Sequence, residues 1–450
     1  MRRLFGTDGI RGVAGEFPLD DATVRSIGRA LARHLGTHAK GKVVLGLDTR
    51  QSGAWIADAL SAALAGTGVE VQSAGVIPTP AVAYLARSRG FAAGVVISAS
   101  HNPWTDNGIK MFGGDGYKLA DAVELEIERE IFAELAAGKE AAAGAGPKEP
   151  ALPGNAALRA AYAEWLASVV RGQDLSGLHV MADCANGAAT AVAGDVLRRA
   201  GVKVNLSHNH PSGKNINERC GALFPEVVAK EVVQRKASVG VSFDGDADRC
   251  LLADANGKVV NGDGILLLMA RDMKQRGTLK NNTVVATTMS NMGLEVALGR
   301  EGIKMLRAPV GDKYVLEEMQ KAGANLGGEQ SGHILFLEHA TTGDGLLTAL
   351  MVLATVARAG KPLHELIADL KVFPQTIKNV RVREKKPLEQ VPQIVQAIAA
   401  AEKTLHGNGR VVVRYSGTEA LCRVMVEAES EALMEQHADA IAAAVTKAVG

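Results

Sequence analysis

Short apolar runs alternate with longer amphipathic stretches along most of the chain. The segment "KVVLGLDTR" (Lys42–Arg50) reads as a buried strand that passes into a polar loop, and a helix-period pattern follows over 54–65. A second strand pattern, "GVEVQSAGVIPTP" (Gly68–Pro80), precedes another helix pattern and then the apolar run of "FAAGVVISASHNP". The same order returns twice. The second copy carries "LHVMADCANGAA" (178–189), "GVKVNLSHNHPSG" (201–213) and "ASVGVSFDGDADR" (237–249). The third carries "NTVVATTMSNMG" (282–293), "GIKMLRAPVGDK" (302–313) and "ANLGGEQSGHI" (324–334).

Strand, helix, strand, helix, strand at this spacing predicts βα units on a largely parallel sheet, and each copy is long enough to be a small domain. Crossovers should be right-handed, with ligands at the strand C-terminal ends. In every copy the third strand runs into an unusual polar loop: SASHNP, DGDADR and GGEQSGH. Copies packed side by side would bring those loops to one cleft. The Ala-, Gly- and Pro-rich stretch 136–157 reads as a linker between the first two copies. After "KVFPQ" (371–375) the pattern changes to strand, helix (387–405), two strands and a last helix (430–449), a separate small α+β domain with a hinge expected at Phe373-Pro374. The expected limits are 1–150, 151–254, 255–372 and 373–450.

Composition narrows the class. The chain has 450 residues, too many for one core, and 50 glycines, which suits many tight loops between strands and helices. With 50 Lys+Arg against 49 Asp+Glu it has no global basic field, so neither nucleic acid nor a membrane surface is an expected partner. Cys184, Cys220, Cys250 and Cys422 are scattered without C-x-x-C spacing, which speaks against a zinc or disulfide framework and for a reducing compartment. The N-terminus lacks an apolar signal core and no run is long enough to span a bilayer, so a cytoplasmic protein is expected.

The loops carry the candidate chemistry. In "SFDGDADRC", Asp244, Asp246 and Asp248 alternate just after an apolar strand. Three carboxylates this close repel one another unless a cation sits among them, and oxygen donors on a short loop suit Mg²⁺. An EF-hand would need Gly and a carboxylate where Arg249 and Ala255 stand, so that reading fails. A solvated acidic turn is the bland alternative. Arg249 beside the carboxylates points to a phosphate nearby. In "RYSGTEALCR", Ser416, Gly417 and Thr418 form a tight turn flanked by Arg414 and Arg423, which reads either as a phosphate cradle or as an ordinary hairpin loop. Glu329 and Ser331, between glycines in "GGEQSGH", suit sugar hydroxyls or an amino group, or else a capped Gly-rich loop. Arg11 in "FGTDGIRG" is a further candidate, or an anchor for the N-terminus. Ser100 ends a buried strand outside any G-x-S-x-G context, so an acyl hydrolase is disfavoured. Alone it would read as a turn cap; set against a metal loop and a phosphate loop it reads as a phosphoserine. His101 and Lys110 can act on protons or on negative charge.

These four loops, "SASHNP", "DGDADR", "GGEQSGH" and "RYSGTE", resemble the active-site loops of the α-D-phosphohexomutase superfamily, one per domain and in the same order, over essentially the whole chain. The resemblance implies three α/β sandwich domains with mixed, largely parallel sheets and a C-terminal α+β domain. It implies an isomerase that moves a phosphoryl group within a hexose phosphate through a 1,6-bisphosphate. "FGTDGIRG" and the Ser-Gly-Thr-Glu loop are similar to those of the members that act on glucosamine phosphates, on the route to UDP-N-acetylglucosamine and the cell wall. Carried over by position, Ser100 holds the phosphoryl group. Asp244, Asp246, Asp248 and a phosphoserine oxygen hold Mg²⁺. Glu329 and Ser331 grip the sugar. Arg414, Ser416, Gly417, Thr418 and Arg423 bind the phosphate that is not transferred. Lys110 and His101 handle protons. The sequence departs from many relatives at Ala420, where they have proline. Its expected partners are a hexosamine phosphate and its 1,6-bisphosphate, with a homodimer a candidate assembly. The rivals are the same chemistry on mannose or glucose phosphates, a Mg²⁺-dependent phosphatase, and a sugar-phosphate binding protein.

Overall fold

The computed structural model of the protein describes residues 4–36, 41–137, 153–416 and 420–450, so most of the 136–157 linker lies outside the described residues. The chain divides into two compact units, Met1–Thr288 with Leu306–Ile367, and Met289–Met305 with Ala368–Gly450. No helix among the described residues is long and apolar enough to cross a membrane.

The first unit holds the three repeats. In the first sheet, Lys42–Leu47 pairs in parallel with Glu70–Val76 on one side and Ala93–Ile97 on the other. Asp106–Gly113 then returns antiparallel beside Ala93–Ile97, and Gly9–Val13 pairs antiparallel with it. The second repeat has the same core, with His179–Asp183 parallel to Lys203–Ser207 and Val239–Phe243, and Cys250–Asp254 returning antiparallel. In the third, Thr283–Thr287 is parallel to Leu326–Gly328, Ile334–Phe336 returns antiparallel, and Lys304–Ala308 lies at the edge. The parallel core agrees with the sequence pattern. The return strands are what the pattern hid: each follows directly on a polar loop, so the loop reads as the end of a repeat when it is the bend between two strands.

The repeats share one packing device. The second residue of each third strand is a glycine: Gly94, Gly240 and Gly327. A Cβ there would stand 2.8 Å from Val82, 2.7 Å from Val232 and 2.5 Å from Met319. Those side chains belong to the helices Thr79–Ser88, Pro225–Arg235 and Asp312–Ala322, each of which immediately precedes its strand. The missing Cβ lets each helix seat directly on the sheet. The helix limits follow from local chemistry. Pro80 and Pro225 stand at the starts of the first two, where a fixed φ suits and the lost N–H is not needed. Gly323, with φ +63°, ends the third in the left-handed conformation. One core of this unit gathers Ile10, Leu31, Leu45, Ile56, Leu60, Val95 and Ile109.

The second unit is built on an antiparallel sheet ordered Gln375–Arg381, Leu421–Ala428, Gly409–Tyr415. The outer strand Gln375–Arg381 alternates exposed and half-buried positions, as a sheet with one wet face should. Helices Pro392–Leu405 and Glu431–Val449 supply Ile394, Leu405, Ile441 and Val445 to a core shared with Val424 and Val426. Ser430 caps the last helix by accepting from the Leu433 N–H.

Candidate active site

Within the first unit, the bends of all three repeats contribute to one polar centre. Ser100 sits just beyond strand Ala93–Ile97, buried, with a left-handed φ of +52°. Its Oγ donates to Asp244 Oδ2 at 2.6 Å, a contact between the first and second repeats. His101 Nδ1 is 3.4 Å from the same oxygen. The Ser100 N–H donates to Ser98 Oγ (2.9 Å), and Ser98 donates in turn to Asp48 Oδ2 (2.6 Å). The two serines thus differ in role, one orienting and one presented.

Asp244, Asp246 and Asp248 are all buried and place one oxygen each within 4.8 Å of the others. Their surroundings push them apart. Burial and the neighbouring Asp248 and Asp246 raise the Asp244 carboxyl well above the usual range. Burial also opposes ionisation of Asp248, but Lys110, His333 and Arg249 outweigh it and hold that carboxyl low. Lys110 is buried, with Nζ 2.8 Å from Asp246 Oδ2, 2.8 Å from Asp8 and 3.6 Å from Asp248. Burial would strip its proton; Asp246, Asp8 and Asp248 keep it charged far above its ordinary range. Thr79 Oγ1 also donates to Asp246 Oδ2, at 2.6 Å. Asp246 Oδ1 and Asp248 Oδ1 are left buried without a hydrogen-bond partner. Orphaned carboxylate oxygens in an all-oxygen cluster fit a hard cation, so the triad passes that test as a metal site.

A cavity of about 400 Å³ opens beside the triad, walled by Asp8, Arg11, His101, Arg249, Glu329 and His333 among others. Arg11 bonds Asp8 (2.5 Å) and Asn102 (3.4 Å), so it lies in the cavity wall as well as tethering the N-terminal turn. Glu329 Oε1 accepts from the Gly311 N–H at 3.0 Å, and Ser331 Oγ is buried without a partner. The His101 imidazole is pulled below its ordinary pKa by burial and by Arg249 and Arg11. Four participants escaped the sequence reading. Asp8, Lys118 and Asp312 form an ion chain, with Lys118 Nζ 2.6 Å from each carboxylate. His333 has Nδ1 3.6 Å from Asp248; burial opposes its charge, but Asp248 and Asp312 raise the imidazole to about 9, so it faces the triad as a cation. His333 sat in the quoted "GGEQSGH" loop and Asp8 in the quoted "FGTDGIRG" turn beside Arg11, so both could have been singled out; Lys118 and Asp312 offered no signal, because they meet only across the fold.

In the second unit, Arg414 and Arg423 are direct cross-strand partners, with Tyr415 opposite Cys422 beside them. Like charges facing each other across a strand pair are unfavourable unless an anion lies between or near them. Lys385 Nζ donates to the Ser416 carbonyl at 2.6 Å, adding a third cation at the hairpin tip. Gly417 and Thr418 lie outside the described residues.

Four family profiles match the chain, described as phosphoglucomutase/phosphomannomutase alpha/beta/alpha domain I (residues 2–137), domain II (160–257), domain III (261–373) and the C-terminal domain (377–444). The phosphoglucosamine mutase of Koribacter versatilis is 60% identical over 455 residues, covering 100% of this chain and 98% of that one. The phosphoglucosamine mutase of Solibacter usitatus is 49% identical, covering 99% of each. Among solved structures, a phosphoglucomutase/phosphomannomutase family protein of Burkholderia thailandensis superposes with a TM-score of 0.76 at 24% identity, covering 98% of this chain and 97% of that one. Aspergillus fumigatus N-acetylphosphoglucosamine mutase, solved with GlcNAc-6P and magnesium, superposes at 0.61 with 19% identity, covering 100% and 96%. With the bends of its three repeats, its acidic triad and these matches along its full length, the chain belongs to the phosphoglucomutase/phosphomannomutase family of phosphohexomutases and, within it, to the phosphoglucosamine mutases.

Proposed function

We propose that the protein interconverts glucosamine 6-phosphate and glucosamine 1-phosphate, with Ser100 as the phosphoryl carrier. The carrier role rests on the 2.6 Å contact between the Ser100 hydroxyl and Asp244, which joins a strained serine to a buried acidic triad, and the sugar on the 60% identity to a phosphoglucosamine mutase. Asp244, Asp246, Asp248 and a phosphoserine oxygen are the proposed Mg²⁺ ligands. A Mg²⁺ ion there would offset the roughly −1.5 to −2 charge of phosphoserine and draw charge from its oxygen. The A. fumigatus relative, crystallised with magnesium, is in keeping with that choice.

Transfer to the sugar breaks the bond between phosphorus and Ser100 Oγ and forms one to the sugar O1. The O1 proton must end on Oγ, and His101, 3.4 Å from Oγ, is placed to relay it. Lys110, which the resemblance assigns to proton handling, is held as a cation by Asp246, Asp8 and Asp248, and its proposed role is instead to keep the triad in register. Arg249 is proposed to face the moving phosphoryl group, and Arg11, Glu329 and Ser331 to hold the sugar. The 1,6-bisphosphate turns end for end, and Ser100 takes back the 6-phosphoryl. Arg414, Ser416, Gly417, Thr418 and Arg423 are assigned to the stationary phosphate, so one cradle must accept either end of the substrate. The limits 1–150, 151–254, 255–372 and 373–450 are the proposed domain boundaries. A cytoplasmic setting is proposed from the four buried, unpaired cysteines.

The test is a substrate panel of glucosamine 6-phosphate, mannose 6-phosphate and glucose 6-phosphate, primed with a trace of hexosamine 1,6-bisphosphate, alongside the intact mass of the protein. Fastest turnover on glucosamine phosphate and a phosphate on Ser100 that sugar phosphate discharges are expected. A faster rate on mannose or glucose phosphate would reassign the sugar, and release of inorganic phosphate without the 1-phosphate would make the protein a phosphatase.

A further inference from the structure

We propose that Arg50 and Asn217 are positioning residues that lock the backbone of Ser100 in the conformation from which it exchanges the phosphoryl group; the inference rests on the phosphoserine reading above. Ser100 is an L-residue in the left-handed region (φ +52°), a conformation that costs on the order of 1–3 kcal/mol and persists only where its surroundings impose it. The surroundings here are unusually complete. On the N–H side, Ser98 and Asp48 take the Ser100 amide through the relay already described. On the carbonyl side, the Arg50 guanidinium, with no exposed side-chain surface, is tied by Nε to Asp48 Oδ2 at 2.8 Å. Its Nη2 donates to the carbonyls of Ser100 (2.9 Å) and Asn102 (2.8 Å). Its Nη1 donates to those of Asp106 (2.9 Å) and Pro103. One planar fork therefore gathers four carbonyls of the bend.

Asn217 comes from the second repeat and repeats part of that grip. Its Nδ2 donates to the same two carbonyls, Ser100 at 3.0 Å and Asn102 at 3.3 Å. Asn217 is itself held in a left-handed conformation (φ +59°). Its N–H bonds the Ala185 carbonyl at 2.9 Å, and Asp183 closes the surrounding loop by accepting from the N–H groups of Ala185 and Gly221, both at 2.9 Å. Neither Arg50 nor Asn217 lines the cavity, so neither is positioned to touch the sugar. What they share is the Ser100 carbonyl, pinned from two repeats at once. With both peptide groups of Ser100 fixed, its Cα–Cβ bond is aimed, and in the rotamer adopted the hydroxyl reaches Asp244. Lysine cannot replace this function of Arg50, because a point donor on a flexible stem cannot span four carbonyls.

The experiment compares the wild-type protein, Asn217→Ala and Arg50→Lys, each purified at full length. Steady-state rates on glucosamine 6-phosphate with bisphosphate primer are expressed per Ser100 able to accept phosphate, counted by intact mass after incubation with the bisphosphate. Melting temperatures are recorded in parallel. Asn217→Ala should lower kcat by about tenfold and Arg50→Lys by about a hundredfold, the range that a displacement approaching 1 Å produces. KM should stay within about twofold in both, since the sugar and phosphate contacts are intact. A folded Asn217→Ala with wild-type kcat overturns the inference, and so does a parallel rise in KM, which would indicate general loosening of the cavity. Asn217→Ala decides the matter if Arg50→Lys does not fold. Absence of mutase turnover in the wild-type protein would instead overturn the phosphoserine reading, whatever the variants do.

Discussion

Gly245 offers the sharpest perturbation of the centre, because its substitution moves one atom group by an amount that can be read from the structure. A Cβ at that position would lie 2.4 Å from the Ser100 carbonyl oxygen, 2.8 Å from Asn217 Nδ2 and 3.0 Å from Ile216 Cδ1. Gly245 is absent from the positive-φ glycines, so alanine brings no backbone penalty and acts through space alone. Ordinary contact begins near 3.4 Å, which leaves about 1 Å to be relieved between the metal loop and the carbonyl of Ser100. The Asn217 and Ile216 side chains can give; a carbonyl held by Arg50 gives only by shifting the serine bend. A misplacement of about 1 Å costs on the order of 10²-fold in rate, or about 2.7 kcal/mol of barrier. Overpacking of this kind costs roughly 1–3 kcal/mol of stability, so the variant should fold. The assay is steady-state mutase turnover of Gly245→Ala beside Gly177→Ala, where nothing lies within 4 Å of an added Cβ. Turnover within about threefold of wild type in Gly245→Ala, a change under 1 kcal/mol, would refute the claim that the serine bend and the acidic loop are locked at that carbonyl.

Asp246→Asn keeps an acceptor for Lys110 and Thr79 but loses the charge, and should raise the Mg²⁺ needed for half-maximal activity by at least 10- to 100-fold, the scale of losing even an outer partner of a metal site; an unchanged titration would count against the triad as the metal site. In the second unit, Arg410 holds the fully buried Glu427 through Nε (2.9 Å) and Nη2 (2.6 Å), so Arg410→Ala should cost about 3–5 kcal/mol by stranding a charge, and an unaltered thermal melt would show that pair to be dispensable. Burial raises the Asp344 carboxyl to about 6, so its neutral form is favoured in the folded state; stability from this group is complete below the unfolded value near 4 and is lost as pH rises through 6. That amounts to about 3 kcal/mol between pH 4 and 7, and Asp344→Asn should therefore gain on the wild type as pH rises, checked by melting both proteins from pH 5 to 7.5; a difference that does not change with pH would disprove the assignment.

How much of this was legible from residues alone depended on distance along the chain. Asp244, Asp246 and Asp248 announce themselves because carboxylates at alternate positions interrupt an apolar strand, and their chemistry needs no partner from elsewhere to be recognised. Ser100 was legible only in company, since its meaning depends on an aspartate far along the chain. Arg50 read as part of a polar loop after the first strand, because a guanidinium serving backbone carbonyls leaves no side-chain motif. Asn217 was silent for the same reason. The opposition of Arg414 and Arg423 required the strand register, which flanking positions on a short turn do not reveal. Periodicity found the three parallel cores but stopped at each polar loop, and so missed the return strands that make each loop a rigid bend.

The seat glycines of the three repeats carry one more consequence. Gly94, Gly240 and Gly327 occupy equivalent points on three strands, each a few residues ahead of the bend that its strand delivers to the reaction centre. The aim of serine, acidic loop and sugar loop is thus set by three separate contacts of helix on strand, each governed by the absence of a single methyl group. A bulkier residue at one seat would tilt its own bend first, and because the Ser100 carbonyl is gripped from the second repeat, a tilt at either of the first two seats would be passed on to the other.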